Sequence, residues 1–426
     1  MKSATLCIDK AALQDRNPGL LDTVARRILL GRLENLRHGE LILAEGDECY
    51  RFGRQDDLFP RTITVNITNS GFYTSLLVYG SVGFGDAYLN DYWQCDDLTG
   101  LFELFLCNRR YIENIGPGMK WLVKPLQLLR GYLHRNTLQG SRRNIEAHYD
   151  LGNELFELFL DKTMMYSCGI FERPESSLQA ASEAKLERIC RKLQLKSSDH
   201  VLEIGTGWGG FALYAAQHYG CRITTTTISR QQYDYTKQRV QAAGLEDRIT
   251  LLFDDYRDLD GSYDKLVSIE MIEAIGHQYF DTYFRKCSEL LKPTGMMLLQ
   301  SITIADQRYR QAKSSIDFIQ RYIFPGGCLP SVAVLGDAIA RRTDMRIFHL
   351  EDIGPHYATT LQRWRKRFHA QTDKVRQLGY PERFIRMWEY YLCYCEAGFR
   401  QQSIGTVQLL LTKPQSLRTP LTSTDC

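Results

Sequence analysis

Cysteine is sparse and never clustered: twelve occur in 426 residues, the closest pair is Cys393 and Cys395, and no CxxC pair is present. That spacing argues against both a disulfide-stapled scaffold and a structural zinc site. Long apolar runs are missing too. No stretch of about eighteen apolar residues occurs, so nothing is expected to span a bilayer. The opening MKSATLCIDKAALQD lacks an apolar signal region, which points to reduced thiols in the cytoplasm. Charge of one sign is also lacking. A net charge of +3 argues against a dedicated nucleic-acid binder, which would be more basic. No internal repeat stands out. What remains is an ordinary globular composition, 44% hydrophobic and 24% charged, in a chain long enough for two domains.

One local absence is informative. Residues 120–145, KWLVKPLQLLRGYLHRNTLQGSRRNI, carry Lys120, Lys124, Arg130, Arg135, Arg142 and Arg143 but no carboxylate. Interleaved Trp, Leu and Val make this stretch amphipathic and cationic, which suits an anionic lipid surface and equally suits a solvated helix between domains. Before it, ELILA, CYRFG and TITVNIT alternate as strands do, and GSVGFGDAYLNDYWQCDDLTGLFELFLCNRR shifts to helical spacing. After it, strand and helix alternate. HVLEIGTG, CRITTTTIS, RITLLFDD, YDKLVSIE and GMMLLQSIT read as strands, GFALYAAQHY and RQQYDYTKQRVQAAG as helices, the second stopped by Gly244. Such β-α repetition predicts a doubly wound, mostly parallel α/β sheet, Rossmann-like, with a smaller N-terminal α+β domain. The expected divisions are an N-terminal domain 1–118, a basic amphipathic linker 119–145, the sheet domain 146–413 and a disordered tail 414–426.

EIGTGWGG, residues 203–210, ends a strand where α/β sheets bind ligands. Glycines at 205, 207 and 209 permit a sharp turn and close approach to a ligand. A lone glycine loop also serves dinucleotides. Here the second strand ends in TTTTIS with no acid for a ribose, and the loop has no Lys-Ser/Thr ending for phosphates. Both absences favour S-adenosylmethionine over a dinucleotide.

HYDLGNELFELFLDKTMMYSCGIF, VLEIGTGWGG, TISRQQ, DDYRDL, YIFPGGCLPS and PHYATTL, in that order, resemble the cyclopropane-fatty-acyl-phospholipid synthase family, which includes the mycolic acid cyclopropane synthases and related lipid methyltransferases. The resemblance runs from about residue 146 to GTVQLLLTK, and the N-terminal part looks like the extra domain of phospholipid-acting members. It implies one-carbon transfer from S-adenosylmethionine to the double bond of an unsaturated phospholipid acyl chain. It also implies a cytoplasmic enzyme at the inner membrane surface, and a homodimer. By carry-over, Tyr166 and Ser167 contact the cofactor, Glu203 joins them, and Gly205, Gly207 and Gly209 pass under its methionine part. Thr227, Ser229 and Gln231 take the ribose region, while Asp255 and Tyr256 lie by the adenine. Ser229 also suits plain helix capping.

An isolated alkene is a poor nucleophile, and methyl transfer to it leaves a carbocation. The site must exclude water, stabilise a cation and remove one proton. Tyr149 and Tyr256 are candidate cation-facing rings. The resemblance implies bicarbonate as the base, in a pocket lined by Cys168, Glu273, the backbone of Ile302, Tyr357 and a histidine. Cys168 would line the pocket and not attack, since no partner to lower its pKa is evident beside it; without the motif it reads as a buried structural thiol. The histidine is absent: its position is Gln300, in LLQSI, and an amide can hydrogen-bond but cannot take a proton. Glu270, three residues before Glu273, is an alternative base, although a surface or capping role is its more ordinary reading. Loss of a proton from the new methyl group closes a cyclopropane; loss from a neighbouring carbon leaves a methyl- or methylene-branched chain. A non-catalytic lipid-binding protein is opposed by the intact glycine loop, Cys168, Glu273 and Tyr357. A methyltransferase for a small soluble molecule is opposed by the cationic stretch and the N-terminal domain.

Overall fold

Residues 19–113 and 151–421 are described by the computed structural model. The cationic stretch 120–145 and Tyr149 lie outside the described residues. Contacts divide the chain into one unit of 1–125 with 382–390 and another of 126–381 with 391–426.

The smaller unit holds a four-stranded sheet in the order β2-β1-β3-β4, formed by Gly39–Glu45 (β1), Glu48–Arg54 (β2), Thr62–Ile67 (β3) and Trp93–Cys95 (β4). β1 pairs antiparallel with β2 and parallel with β3. Alternation buries Leu41, Leu43, Ile63 and Val65 on one face. Helices Gly71–Leu89 and Leu98–Cys107 supply the rest of the core, where Trp93 stacks on Phe84 at 4.3 Å. One departure from the expected division is residues 382–390, which join this unit. Arg386 lies over Tyr88 and donates to the carbonyls of Tyr88 (2.7 Å) and Trp93 (3.2 Å), and Tyr390 meets Phe102 edge-on. Those contacts bridge almost three hundred residues of sequence, about 298 in the first case, which local pattern reading does not reach.

The larger unit contains a seven-stranded sheet, β10-β11-β9-β8-β5-β6-β7. Its strands are His200–Ile204 (β5), Arg222–Thr226 (β6), Ile249–Leu252 (β7), Tyr263–Ile269 (β8), Leu291–Ile304 (β9), Arg346–Asp352 (β10) and Ile404–Thr412 (β11). β5 to β9 are parallel and β11 is antiparallel to both its neighbours. The helices Gly210–Tyr219 and Arg230–Ala242 fall where the sequence places them, and Gly244 follows the second with φ +63°. Both faces of the sheet are covered. Leu202, Leu266, Met297, Leu299 and Leu409 pack with helices Phe280–Leu290 and Val332–Arg342 on one side. Val201, Val267, Leu298 and Leu410 pack with helices Leu178–Leu193 and Gly210–Tyr219 on the other. Strand order reverses between β5 and β8, the place where a parallel sheet opens a crevice at its C-terminal edge.

The segment 414–421, part of the expected disordered tail, packs on the sheet. Gln415 N donates to Pro293 O, and the guanidinium of Arg418 lies 5.5 Å from the Phe348 ring.

Candidate active site

The crevice at the reversal is built first by the loop after β5. Gly205, Gly207 and Gly209 all have positive φ, +101°, +52° and +83°. At Gly209 a Cβ would come within 2.7 Å of Thr236 Cγ2, so this glycine lets the helix Arg230–Ala242 close onto the loop. At Gly207 a Cβ would meet nothing, so only its backbone conformation calls for glycine. Glu203 is buried on β5 and accepts from Thr225 Oγ1 at 2.6 Å; burial pushes its carboxyl up to about 8. Thr225 in turn meets Thr206, giving a hydroxyl ladder between β5 and β6.

The other cofactor candidates line the same strand ends. Thr227, after β6, donates to Gln232 Oε1 at 2.8 Å and accepts from Ser229 N. Ser229 Oγ accepts from Gln232 N, so it caps the helix. Gln231 is half-buried on the first turn of that helix. Asp255, past β7, holds the Arg257 guanidinium through two 2.7 Å hydrogen bonds. Tyr256 is buried against Tyr283 with Arg257 over its ring. A face already occupied by a guanidinium is poorly placed to meet a substrate cation. Tyr166 packs among Phe156, Trp208 and Trp364, its hydroxyl 2.9 Å from that of Tyr391. Ser167 accepts from Lys185 Nζ at 2.6 Å. A bare glycine backbone, a row of threonine hydroxyls and buried carboxylates, with no phosphate cradle, match the needs of S-adenosylmethionine.

Beyond the loop the site turns on Glu270. This residue follows β8 with φ +51°, a left-handed conformation that costs a side-chain-bearing residue about 1–2 kcal/mol and tends to persist at functional places. Its backbone is held by Glu270 N donating to Gln300 O at 2.8 Å. Its carboxylate collects three donors. Cys168 N (3.0 Å) and Gln300 Nε2 (2.7 Å) reach Oε1, and the Tyr357 hydroxyl reaches Oε2 at 2.6 Å. The surface or capping role expected for Glu270 is therefore corrected: its side chain turns inward to the groups thought to hold bicarbonate. Cys168 N, Gln300 and Tyr357 are satisfied by that carboxylate and Ile302 N by Glu273, so bicarbonate does not fit the donor set.

Cys168 itself is fully buried, its thiol directed to the carbonyls of Gly169 and Ile353. Burial, with Glu270 nearby, pushes that thiol well above its usual range. Such a group is inert as a nucleophile. Glu273 opens the short helix Ile272–Ile275 and accepts from Ile302 N, while its Oε2 is shut off from solvent and has no partner among the described residues. Burial first, then the charge of Glu270, push Glu273 up to about 8. Burial also raises Glu270, but its three donors and Lys185 pull the other way. Three donors on the Glu270 carboxylate against one on that of Glu273 assign the anion to Glu270 and the retained proton to Glu273.

Sequence reading did not find Lys185. It is fully buried between Ser167, Glu203 and Glu270, and burial lowers its ammonium to about 8 despite the opposing pull of Glu270. The available cue was periodicity: Lys185 and Lys192 fall on the same helix face as Leu186, Ile189 and Leu193. A family of aromatics closes over the site, with Tyr357 stacked on Phe399 at 4.4 Å and Trp364 5.3 Å from Tyr166. Among the described residues no cluster could hold a metal ion.

The chain is similar to known proteins along most of its length. A family described as mycolic acid cyclopropane synthetase matches residues 136–409. The tuberculostearic acid methyltransferase of Mycobacterium tuberculosis is 38% identical over 343 residues, 79% of this chain and 79% of that protein. The cyclopropane-fatty-acyl-phospholipid synthase of Escherichia coli K12 is 37% identical over 352 residues, 82% of this chain and 87% of that protein. Among solved structures, a mycolic acid cyclopropane synthase complexed with SAH and CTAB superposes with a TM-score of 0.60 at 30% identity, over 64% of this chain and 98% of that one.

Proposed function

The chain belongs to the mycolic acid cyclopropane synthetase family, and from that premise we propose that it closes a cyclopropane ring on the double bond of an unsaturated phospholipid acyl chain, with Glu270 as the base. It is an S-adenosylmethionine-dependent methyltransferase. The observation that carries the reading is the convergence of Cys168 N, Gln300 and Tyr357 on one carboxylate.

S-adenosylmethionine supplies an electrophilic methyl group when bound over the glycine loop. Tyr166, Ser167, Glu203, Thr227, Ser229, Gln231, Asp255 and Tyr256 are the residues we assign to holding it, with the three glycines. The alkene π pair would form the new carbon–carbon bond as the methyl carbon's bond to sulfur breaks, its electron pair staying on the departing thioether, and a cation would be left on the adjacent chain carbon. Glu270, an anion among aromatic rings, stabilises that charge electrostatically. A methyl proton then passes to a Glu270 oxygen, and the released C–H pair closes the ring. Tyr357, Gln300 and Cys168 N hold the accepting carboxylate in place, and protonated Glu273, fixed by Ile302 N, adds no competing anion. Water exclusion falls to Tyr166, Trp364, Tyr391 and Phe399.

A second reading is methyl- or methylene-branch formation, supported by the similarity to a tuberculostearic acid methyltransferase. It needs the same base: loss of a proton from a neighbouring chain carbon leaves a methyl-branched alkene, and a 1,2-hydride shift followed by loss of a methyl proton leaves a methylene branch. The proposal also places a homodimer at the inner membrane surface, reached from the cytoplasm. The cationic stretch 120–145 supports this through its composition, and among the described residues no helix is long and apolar enough to cross a membrane. Vesicles of monounsaturated phospholipid with methyl-labelled S-adenosylmethionine provide the test. Label in the acyl chains with ring-proton resonances is expected. Label with only a methyl-branch signal selects the second reading, and no label in lipid overturns both.

A further inference from the structure

Glu351, Gln408 and Gln300 are successive register partners across β10, β11 and β9, and Gln300 pairs onward with Ile269 of β8, next to Glu270. The row lies on the sheet face covered by the helix Leu178–Leu193, beside Leu298 and Leu410. Lys192 from that helix is 0% exposed, as is Gln300, and Gln408 is 1% exposed. Lys192 Nζ donates to the Glu351 carboxylate and to Gln408 Oε1 (2.8 Å). Gln408 Nε2 donates to Gln300 Oε1 at 3.0 Å, and Gln300 Nε2 donates to Glu270 Oε1 at 2.7 Å. Arg188 closes the far end on Glu351 at 2.6 Å.

Polar groups buried at the centre of a sheet face are costly, and apolar side chains would pack there at least as well. Their order has a consequence. An ammonium only donates and a carboxylate only accepts, so the two amides between them are oriented one way throughout. Lys192 takes the oxygen of Gln408, which turns the Gln408 amine to Gln300 and the Gln300 amine to Glu270. We propose that Lys192 and Gln408 are positioning residues for Glu270, acting through Gln300 by fixing which edge of its amide the carboxylate meets. This rests on the reading of Glu270 as the base. Charged and titratable neighbours also act on the two ends: Lys185, Cys168, Tyr357 and Glu273 at Glu270, and Arg188, His349, His356 and Arg418 about Glu351 and Lys192. None of them can orient the Gln300 amide in place of Gln408.

The test uses the full chain with phospholipid vesicles and follows kcat against pH, KM for S-adenosylmethionine and melting temperature. Gln408→Glu keeps an acceptor for Lys192 but has no donor for Gln300, whose amide then turns its oxygen toward Glu270. Expected is a fall in kcat of about tenfold or more, the scale of one charge-assisted hydrogen bond, with the acid limb moved to higher pH and KM unchanged. Gln408→Met removes the lock without adding charge, and a smaller fall with the same direction of limb shift is expected; it decides the matter if Gln408→Glu does not fold. Variants that melt lower yet keep wild-type kcat and pH limb would overturn the positioning role and leave a structural one. Glu270→Gln is run alongside. If it is inactive while both Gln408 variants behave as wild type, only the positioning role fails; if it retains turnover, the reading of Glu270 as base fails and the positioning role with it.

Discussion

Tyr357 and Glu270, 87 residues apart in sequence, meet through a 2.6 Å hydrogen bond in which the phenol donates to the carboxylate. Burial first, and then the charge of Glu270, push the phenol well above its usual range, so it stays a donor at every working pH. Tyr357→Phe should therefore strip one charge-assisted hydrogen bond, about 1.5–3 kcal/mol, or about ten- to a hundredfold in kcat. Because the lost donor favoured the anion, the acid limb of kcat should move to higher pH. A variant with full kcat and an unshifted limb would separate Tyr357 from the base.

Glu273 makes a prediction about stability. Its folded carboxyl is raised to about 8 from an ordinary 4.5, so the native state is the better proton binder between those values. Stability must then fall as pH rises through that window. Glu273→Gln removes the titration, and its melting temperature relative to wild type should improve steadily from pH 5 to pH 8, an interval of roughly the size of the shift. A difference that stays constant across that interval would mean that native Glu273 is already an anion.

The glycine loop separates conformational strain from crowding. Gly207→Ala meets no neighbour but must hold φ +52°, whereas Gly209→Ala must hold φ +83° with its Cβ 2.7 Å from Thr236 Cγ2. The first should cost about 1–2 kcal/mol, and the second about 1–3 kcal/mol more from overpacking. Thermal melting of the two variants checks the order. Equal losses would indicate that the helix Arg230–Ala242 moves aside freely.

Much of the larger unit was legible because its signals are local. HVLEIGTG, GFALYAAQHY and the stop at Gly244 each combine a hydrophobic pattern with a glycine that ends it. β10 was not read, because Arg346–Asp352 sits at the sheet edge with no fully buried position and so shows no alternation. The place of 382–390 in the smaller unit depends on contacts far apart in sequence. At the site, Cys168, Gln300, Tyr357 and the glycines follow from short motifs. The inward turn of Glu270 does not, since it depends on a left-handed backbone and on donors from three distant segments. Lys192 and Gln408, 216 residues apart, were hidden for the same reason.

Dependence of turnover on bicarbonate tests the central claim most directly. Wild-type protein in carbon-dioxide-depleted buffer should convert lipid at an unchanged rate when bicarbonate is added back. Glu270→Gly, which relieves the φ of +51° and opens the space of the carboxylate, should lose about a hundredfold or more of kcat and recover part of it with bicarbonate. A wild-type rate that collapses without bicarbonate and returns with it would contradict the account, because the base would then come from solution and not from Glu270.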